Sequence, residues 1–275
     1  MFALEAFRVV PPPARCVPRQ AWRNGSTLIG ERTLAEEVPV AFSYDGVAHA
    51  VLMATPDDLE DFALGFTYTE GIITEPAEIA ELAVVSVADG IVLRIWLTGA
   101  QSDAFAARRR RFVGPAGCGM CGLESLAEAN RTIPLVSRDL QVSQHNIEEA
   151  VAALPARQAL NMQTRAVHAA AFWRPDQSLV LREDVGRHNA LDKLAGALLR
   201  AGQRAALGII VLSSRISIEL VQKAGMIGAA IIVGVSAPTA LAVRTAESIG
   251  LTLVGIARDD GFEVFTHPER ITHFW

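Results

Sequence analysis

Cysteine is scarce in this chain: Cys16, Cys118 and Cys121 are the only three among 275 residues. An odd count cannot build the disulfide framework of a small secreted protein and fits a reducing compartment. Long apolar runs are missing too. The most apolar stretch, residues 226–235, contains glycine and is too short to span a bilayer. The first residues lack the basic and apolar segments of a signal peptide. Nor is there an excess of positive charge. Twenty-five Lys and Arg against 30 Asp and Glu give a net charge of −5, which argues against a general nucleic-acid binder but leaves room for a local basic pocket. No internal repeat or low-complexity block stands out. These absences lead us to expect a cytoplasmic protein with no membrane and no nucleic-acid partner.

Apolar residues make up 51% of the chain and charged residues 20%, enough for a substantial core. Residues 1–24, with Pro11-Pro12-Pro13, Pro18 and no periodicity, read as an irregular leader. Residues 25–140 read as an N-terminal α+β part rich in β-hairpins. Residues 38–54 alternate around Asp45-Gly46, and a second pair, 82–87 and 91–97, flanks Asp89-Gly90; both are hairpin signals. Thr55-Pro56-Asp57-Asp58 predicts a helix start with Thr55 as N-cap and Pro56 at the first helical position, running to about Gly71. A polar helix over 102–112 carries Arg108 to Arg111, and another helix is expected over 146–154.

Residues 141–275 follow a different grammar and read as an α/β part. Strands are predicted over 167–173, 178–182, 251–256 and 262–266, and a helix over 189–199. Residues 207–212 and 229–235 are continuous apolar runs, the pattern of strands buried on both faces of a parallel sheet. Helices fit over 216–225 and 239–249. The expected fold class is therefore α/β, a layered sheet with helices on both faces.

Chemistry concentrates in Cys118-Gly119-Met120-Cys121. Four glycines and a proline within residues 114–122 imply a loop. A zinc site would need two more ligands, and no second CxxC or nearby His pair supplies them. A redox pair of the thioredoxin kind sits where a strand feeds a helix, unlike this glycine-rich setting. Sulfur relay fits best: a thiolate accepts a sulfur atom, holds it as a persulfide and passes it on, helped by access and by nearby arginines.

Polar clusters follow four of the predicted strands: 182–189 with Arg182, Arg187 and His188; Ser213-Ser214-Arg215; Ser236-Ala237-Pro238-Thr239; and Arg258-Asp259-Asp260-Gly261. In a parallel sheet the carboxyl ends of strands line one edge, where α/β proteins place ligands. Three of the clusters precede helices, whose N–H groups suit phosphate oxygens. Together they predict a pocket for an anionic, nucleotide-like ligand, with Arg182, Arg187 and Arg215 as phosphate partners. Taken singly, Ser and Thr at helix starts are ordinary caps, and His168 and His188 read as wall or supporting histidines.

With these residues in view, the sequence resembles the formate dehydrogenase accessory sulfurtransferase family (FdhD). The resemblance rests on Thr55-Pro56 through Ala63-Leu64-Gly65-Phe66 with Glu70-Gly71-Ile72-Ile73, the Cys118–Cys121 motif, and the 182–189 segment with Asp192-Lys193. It continues through Ser213, Glu219 to Lys223, Val235-Ser236-Ala237-Pro238 and residues 262–266, so it spans about residues 30–267. The resemblance implies a fold similar to cytidine deaminases and a homodimer. It implies that a cysteine desulfurase loads sulfur onto Cys118, with Cys121 as partner. The recipient would be the molybdenum bis(molybdopterin guanine dinucleotide) cofactor of formate dehydrogenase, bound as cargo. Phe262, Glu263, Val264, Phe265, Thr266 and His267 are the implied contacts to it, alongside Arg182, Arg187, His188, Ser213, Arg215 and Ser236 from the polar clusters. A zinc-dependent deaminase is the rival reading from that fold. It would need a His-x-Glu before the thiols and a proline preceding the first, and Ala116-Gly117 stand there instead. A cofactor-shielding chaperone and a zinc knuckle are further alternatives.

Overall fold

The computed structural model describes residues 9–112, 133–137, 139–176 and 178–272. Its first element contradicts the expected irregular leader: β1 (Ala14–Arg23) pairs antiparallel with β2 (Ser26–Ala35), from Ala14↔Ala35 to Arg23↔Ser26. Asn24 and Gly25 join them with φ of 50° and 75°, the left-handed pair that a two-residue hairpin turn requires. Pro18 is tolerated because a two-stranded ribbon consists only of edge strands.

The expected hairpin at Asp45-Gly46 forms between β3 (Val38–Tyr44) and β4 (Val47–Ala54). The first helix, α1 (Leu59–Thr69), starts later than its Thr-Pro signal suggested. Asp58, at φ 51°, occupies the N-cap, while Thr55 is wholly buried and bonded to the C-terminal half. The second hairpin joins β5 (Ile79–Val87) to β6 (Gly90–Leu97), turning at Ala88-Asp89 rather than Asp89-Gly90. Gly90 is drawn into the ladder against Pro39, where any Cβ would overlap the Pro39 carbonyl. The next helix, α2 (Gly99–Phe112), follows directly. These four strands form one sheet in the order β4-β3-β6-β5, with β3 and β6 parallel. Phe62 and Phe66 of α1 bury against Phe42, with the Phe42 and Phe66 ring centroids 4.1 Å apart. Each such ring removed from water contributes roughly 2–3 kcal/mol.

The C-terminal half opens with β7 (Val142–Ser143) and α3 (Gln144–Ala152), where Ser143 and Asn146 form a reciprocal capping box. After α4 (Ala159–Thr164) come β8 (His168–Trp173), β9 (Leu179–Asp184) and α5 (Arg187–Arg200). The chain then alternates β10 (Ile209–Leu212), α6 (Ile218–Met226), β11 (Ile231–Gly234), α7 (Ala240–Ile249) and β12 (Thr252–Arg258). It closes with β13 (Gly261–Val264) and β14 (Ile271–Thr272), the latter pairing with β7. Every residue of β10 and β11 is buried, as their apolar runs predicted.

The larger sheet runs β13-β12-β11-β10-β8-β9 and is mixed, not purely parallel. Two hairpins, β8–β9 and β12–β13, reverse β8 and β13 while leaving β9, β10, β11 and β12 in one direction. Helices cover both faces. Leu191 and Leu194 of α5, Leu220 and Val221 of α6 and Ala242 of α7 pack on Phe172, Ile210, Ile232 and Leu253. On the opposite face Ile147 and Ala150 of α3 pack on Ala171, Trp173, Val211 and Val233. The two halves meet where α1 crosses α5 at backbone contact: a Cβ on Gly65 would overlap the Asp192 carbonyl, and one on Gly196 the Asp61 carbonyl.

A candidate anion-binding edge

Because β9, β10, β11 and β12 share a direction, their carboxyl ends fall on one edge of the sheet, and the predicted clusters follow them there. Several hydrogen bonds stitch that edge together. Ser213 Oγ accepts from the Ala169 N–H at 2.8 Å, and Ser213 N–H donates to the Ala169 carbonyl at 3.0 Å. The Ile256 N–H donates to the Ser236 carbonyl at 3.3 Å. Ile256 itself sits at φ 52° within a bulge of β12, an unusual conformation for a β-branched residue. Phe265 lies with Pro238 over Gly255, next to Ser236.

Helix α5 begins at this edge and lacks a side-chain cap. Its N-cap is Gly186, and a Cβ there would come within 2.7 Å of Asn189 Nδ2, so no capping side chain fits. The first turn of α5 therefore keeps unsatisfied N–H donors and the positive end of its dipole. Arg187 strengthens that field. Its Nε is a buried donor with no hydrogen-bond partner, and among the described residues no acid forms an ion pair with its guanidinium, although Glu219 lies near enough to feel its charge. Beside it, His188 packs with Nε2 3.3 Å from Ser217 Oγ and 3.8 Å from Glu219 Oε2. Burial, then the Arg187 and Lys223 charges, push His188 down to about 4, so its imidazole is neutral at physiological pH. The same edge lowers His168, through burial first and Arg187 second. Arg215 is exposed, and Ser213 and Ser236 are half-buried. Uncapped donors, a guanidinium held in no ion pair and a neutral imidazole together suit an anion with several oxygens.

Arg182 does not join this group. Its Nε and Nη2 donate to Asp61 Oδ2 of α1 at 2.9 and 2.7 Å, and Asp58 lies 3.3 Å away, so its charge is already neutralised. The run 262–267 crosses the sheet rather than lining one edge. β13 carries Phe262, Glu263 and Val264 antiparallel to β12, so the chain reaches the opposite edge by His267. There Thr266 Oγ accepts from the Leu253 N–H at 2.9 Å and donates to the Leu251 carbonyl at 2.7 Å. The His267 ring lies 3.1 Å from Glu269 and 3.0 Å from the Glu247 carbonyl. Thr266 and His267 thus hold the strand end. Cys118 and Cys121 lie outside the described residues. Among the described residues no cluster of His, Cys, Asp or Glu is arranged to hold a metal ion, and no helix is long and apolar enough to cross a membrane.

The sequence expects no site role for the buried ion pairs behind the edge. Asp184 is fully buried and accepts four donors: Thr55 N–H at 3.0 Å and Lys193 Nζ at 2.7 Å on one oxygen, Gly186 N–H at 2.7 Å and Asn189 Nδ2 at 2.9 Å on the other. A second buried pair, Lys223 and Asp192 at 2.9 Å, adds Thr69 and Glu70. Burial opposes the charge on Lys223, yet Asp192 and Glu70 outweigh it and hold its ammonium above the usual range. The sequence signals were Asp192-Lys193, an acid and a lysine inside an otherwise apolar helix pattern, and the place of Asp184, Asn189, Glu70 and Lys223 in the segments that carry the family resemblance.

Known proteins resemble the chain throughout. A family model described as the FdhD/NarQ family matches residues 35–272. Sulfur carrier protein FdhD of Agrobacterium fabrum is 51% identical over 259 residues, covering 94% of this chain and 96% of that one. Proteins of the same name from Brucella abortus and Cupriavidus necator are 47% and 43% identical, over 94% and 96% of this chain and 97% and 92% of theirs. A crystal structure from Desulfotalea psychrophila, described as a formate dehydrogenase accessory protein, superposes with a TM-score of 0.74 at 26% identity, covering 95% of this chain and 100% of that one. With the model matching from the end of β2 to β14 and relatives near half identity over almost the whole length, the chain belongs to the FdhD/NarQ family.

Proposed function

We propose that this chain is a sulfur carrier in formate dehydrogenase maturation, holding sulfur as a persulfide on Cys118 with Cys121 as its partner. The donor is a cysteine desulfurase. The Cys118 thiolate attacks the outer sulfur of the donor's persulfide; the donor's S–S bond breaks, a new one forms on Cys118, and the donor leaves as a thiolate. Cys121 then attacks the inner sulfur, closing a Cys118–Cys121 disulfide and releasing hydrosulfide, and an external dithiol resets the pair. The recipient is molybdenum bis(molybdopterin guanine dinucleotide), bound as cargo along the carboxyl edge of the larger sheet. There the first turn of α5, Arg187 and Arg215 take phosphate oxygens, Ser213 and Ser236 offer hydroxyls, and neutral His188 offers a hydrogen bond without adding charge. Phe262 and Phe265 wall the bound molecule. A homodimer working in the cytoplasm and a cytidine deaminase-like arrangement belong to the same reading, the last supported by helices on both faces of a mixed sheet.

The observation that carries the cargo site is Arg187, a cation with no acid partner among the described residues, beside an uncapped helix start. The names of the relatives support the sulfur chemistry. Intact mass spectrometry after incubation with a cysteine desulfurase and cysteine tests it. The wild type gains about 32 Da, one sulfur atom, and Cys118→Ala does not. Cys121→Ala loads normally and releases no hydrosulfide. An unchanged wild-type mass sinks the carrier reading. Titration with GDP tests the edge, and no binding counts against it.

A further inference from the structure

The end of β4 is bonded to the turn that precedes α5, directly behind the proposed anion site. All three polar groups of buried Thr55 face that turn and its helix. Its N–H donates to Asp184 Oδ2 at 3.0 Å, its carbonyl accepts from Lys193 Nζ at 2.9 Å, and its hydroxyl accepts from the Val185 N–H at 3.1 Å. Two residues earlier, the Met53 carbonyl accepts from Asn189 Nδ2 at 2.8 Å. The two backbone N–H groups just before α5 are therefore both held from behind, Val185 by Thr55 and Gly186 by Asp184 at 2.7 Å. Donors spent in this way cannot turn toward a ligand. What they do is lock the turn so that the next residues, Arg187 and His188, begin the helix at a set place.

We infer that the Thr55 hydroxyl is a positioning group for anion binding, holding the 184–186 turn in the conformation that presents Arg187 and the uncapped start of α5. It never touches the ligand. The inference rests on the reading of this edge as a phosphate site and adds a dependence on the other sheet. Residue 55 lies in the N-terminal half, 130 positions from the group it holds. Val is close to Thr in shape and lacks the hydroxyl. It thus releases the Val185 N–H while leaving the backbone bonds of residue 55 intact, and Ser restores the acceptor.

The test is calorimetric titration of the full-length wild type, Thr55→Val and Thr55→Ser with GDP and, in competition format, with guanosine. Thr55→Val weakens GDP about tenfold, equivalent to about 1.4 kcal/mol, leaves guanosine unchanged, and Thr55→Ser recovers GDP binding. Asn189→Ala, which removes the neighbouring bonds to Met53 and Asp184, gives the same phosphate-selective loss and stands in if Thr55→Val does not fold. Equal losses for GDP and guanosine would mean a purely structural role and overturn the inference. So would unchanged GDP affinity in folded Thr55→Val. A wild type that binds no GDP instead removes the phosphate site itself, and the inference with it.

Discussion

Asp184 and Lys193 meet at 2.7 Å with neither side chain reaching solvent. Two charges so placed have given up their hydration, and the pair holds because Thr55, Gly186 and Asn189 satisfy the remaining oxygen lone pairs. Removing one partner strands the other. Asp184→Asn or Lys193→Met should cost about 3–5 kcal/mol, measured by urea unfolding. A loss below 1 kcal/mol would show that the pair is replaceable singly.

The crossing of α1 and α5 is equally intolerant, for steric reasons. Gly65→Ala places a methyl into the Asp192 carbonyl and should cost about 3 kcal/mol or more, since backbone must move. Gly99, at the start of α2, has open space around its Cβ position, so Gly99→Ala should be neutral or stabilise by up to about 1 kcal/mol. Thermal unfolding of both proteins is the check, and equal shifts would refute the contact geometry.

Two arginines five residues apart should behave in opposite ways. Arg182→Ala removes one of the two guanidinium groups bound to Asp61 and leaves that largely buried carboxylate with Arg200 alone, so stability falls while GDP affinity changes little. Arg187→Ala removes a charge with no acid partner among the described residues. It should leave stability nearly unchanged and weaken GDP by roughly 10- to 100-fold, the range of a charge-assisted hydrogen bond. Reversed results would relocate the anion site.

His188 gives a pH signature of known sign. Its folded value is held down to about 4, against about 6.5 for an unfolded histidine. Between those values the unfolded chain binds a proton that the folded chain refuses, so this group lowers stability as pH falls from about 6.5 to about 4. Above that window it contributes no slope. His188→Gln should flatten the dependence there. Arg187→Ala should raise the titration midpoints of both His188 and His168 in NMR, because Arg187 depresses both.

Local signals hold where neighbours alone decide conformation. Asp45-Gly46 turned as its type demands, and Ala240–Ile249 began after Thr239, whose hydroxyl accepts from the Ala242 N–H. The same rule fits Asn24-Gly25, but the preceding prolines and the lack of periodicity point to an irregular leader. Thr55 shows the limit. Its Thr-Pro-Asp-Asp context is a good helix start, yet Asp184 and Lys193 compete for its polar groups and win, because both are buried and need them. Arg182 and Arg187 looked alike within one motif. Only the position of Asp61, on a helix more than a hundred residues earlier, tells the neutralised one from the available one.

By itself the sequence determined the alternation of strands and helices, both of the first expected hairpins, the buried character of β10 and β11, and the family, because these depend on residue patterns over a few turns or on motif order. The tertiary structure decided which charges are spent and which remain. Asp61, Thr55 and Asp192 reach their partners across 121, 129 and 31 positions. Whether an arginine is a structural tie or a ligand site depends on the potential at its guanidinium, set by acids that only folding brings near.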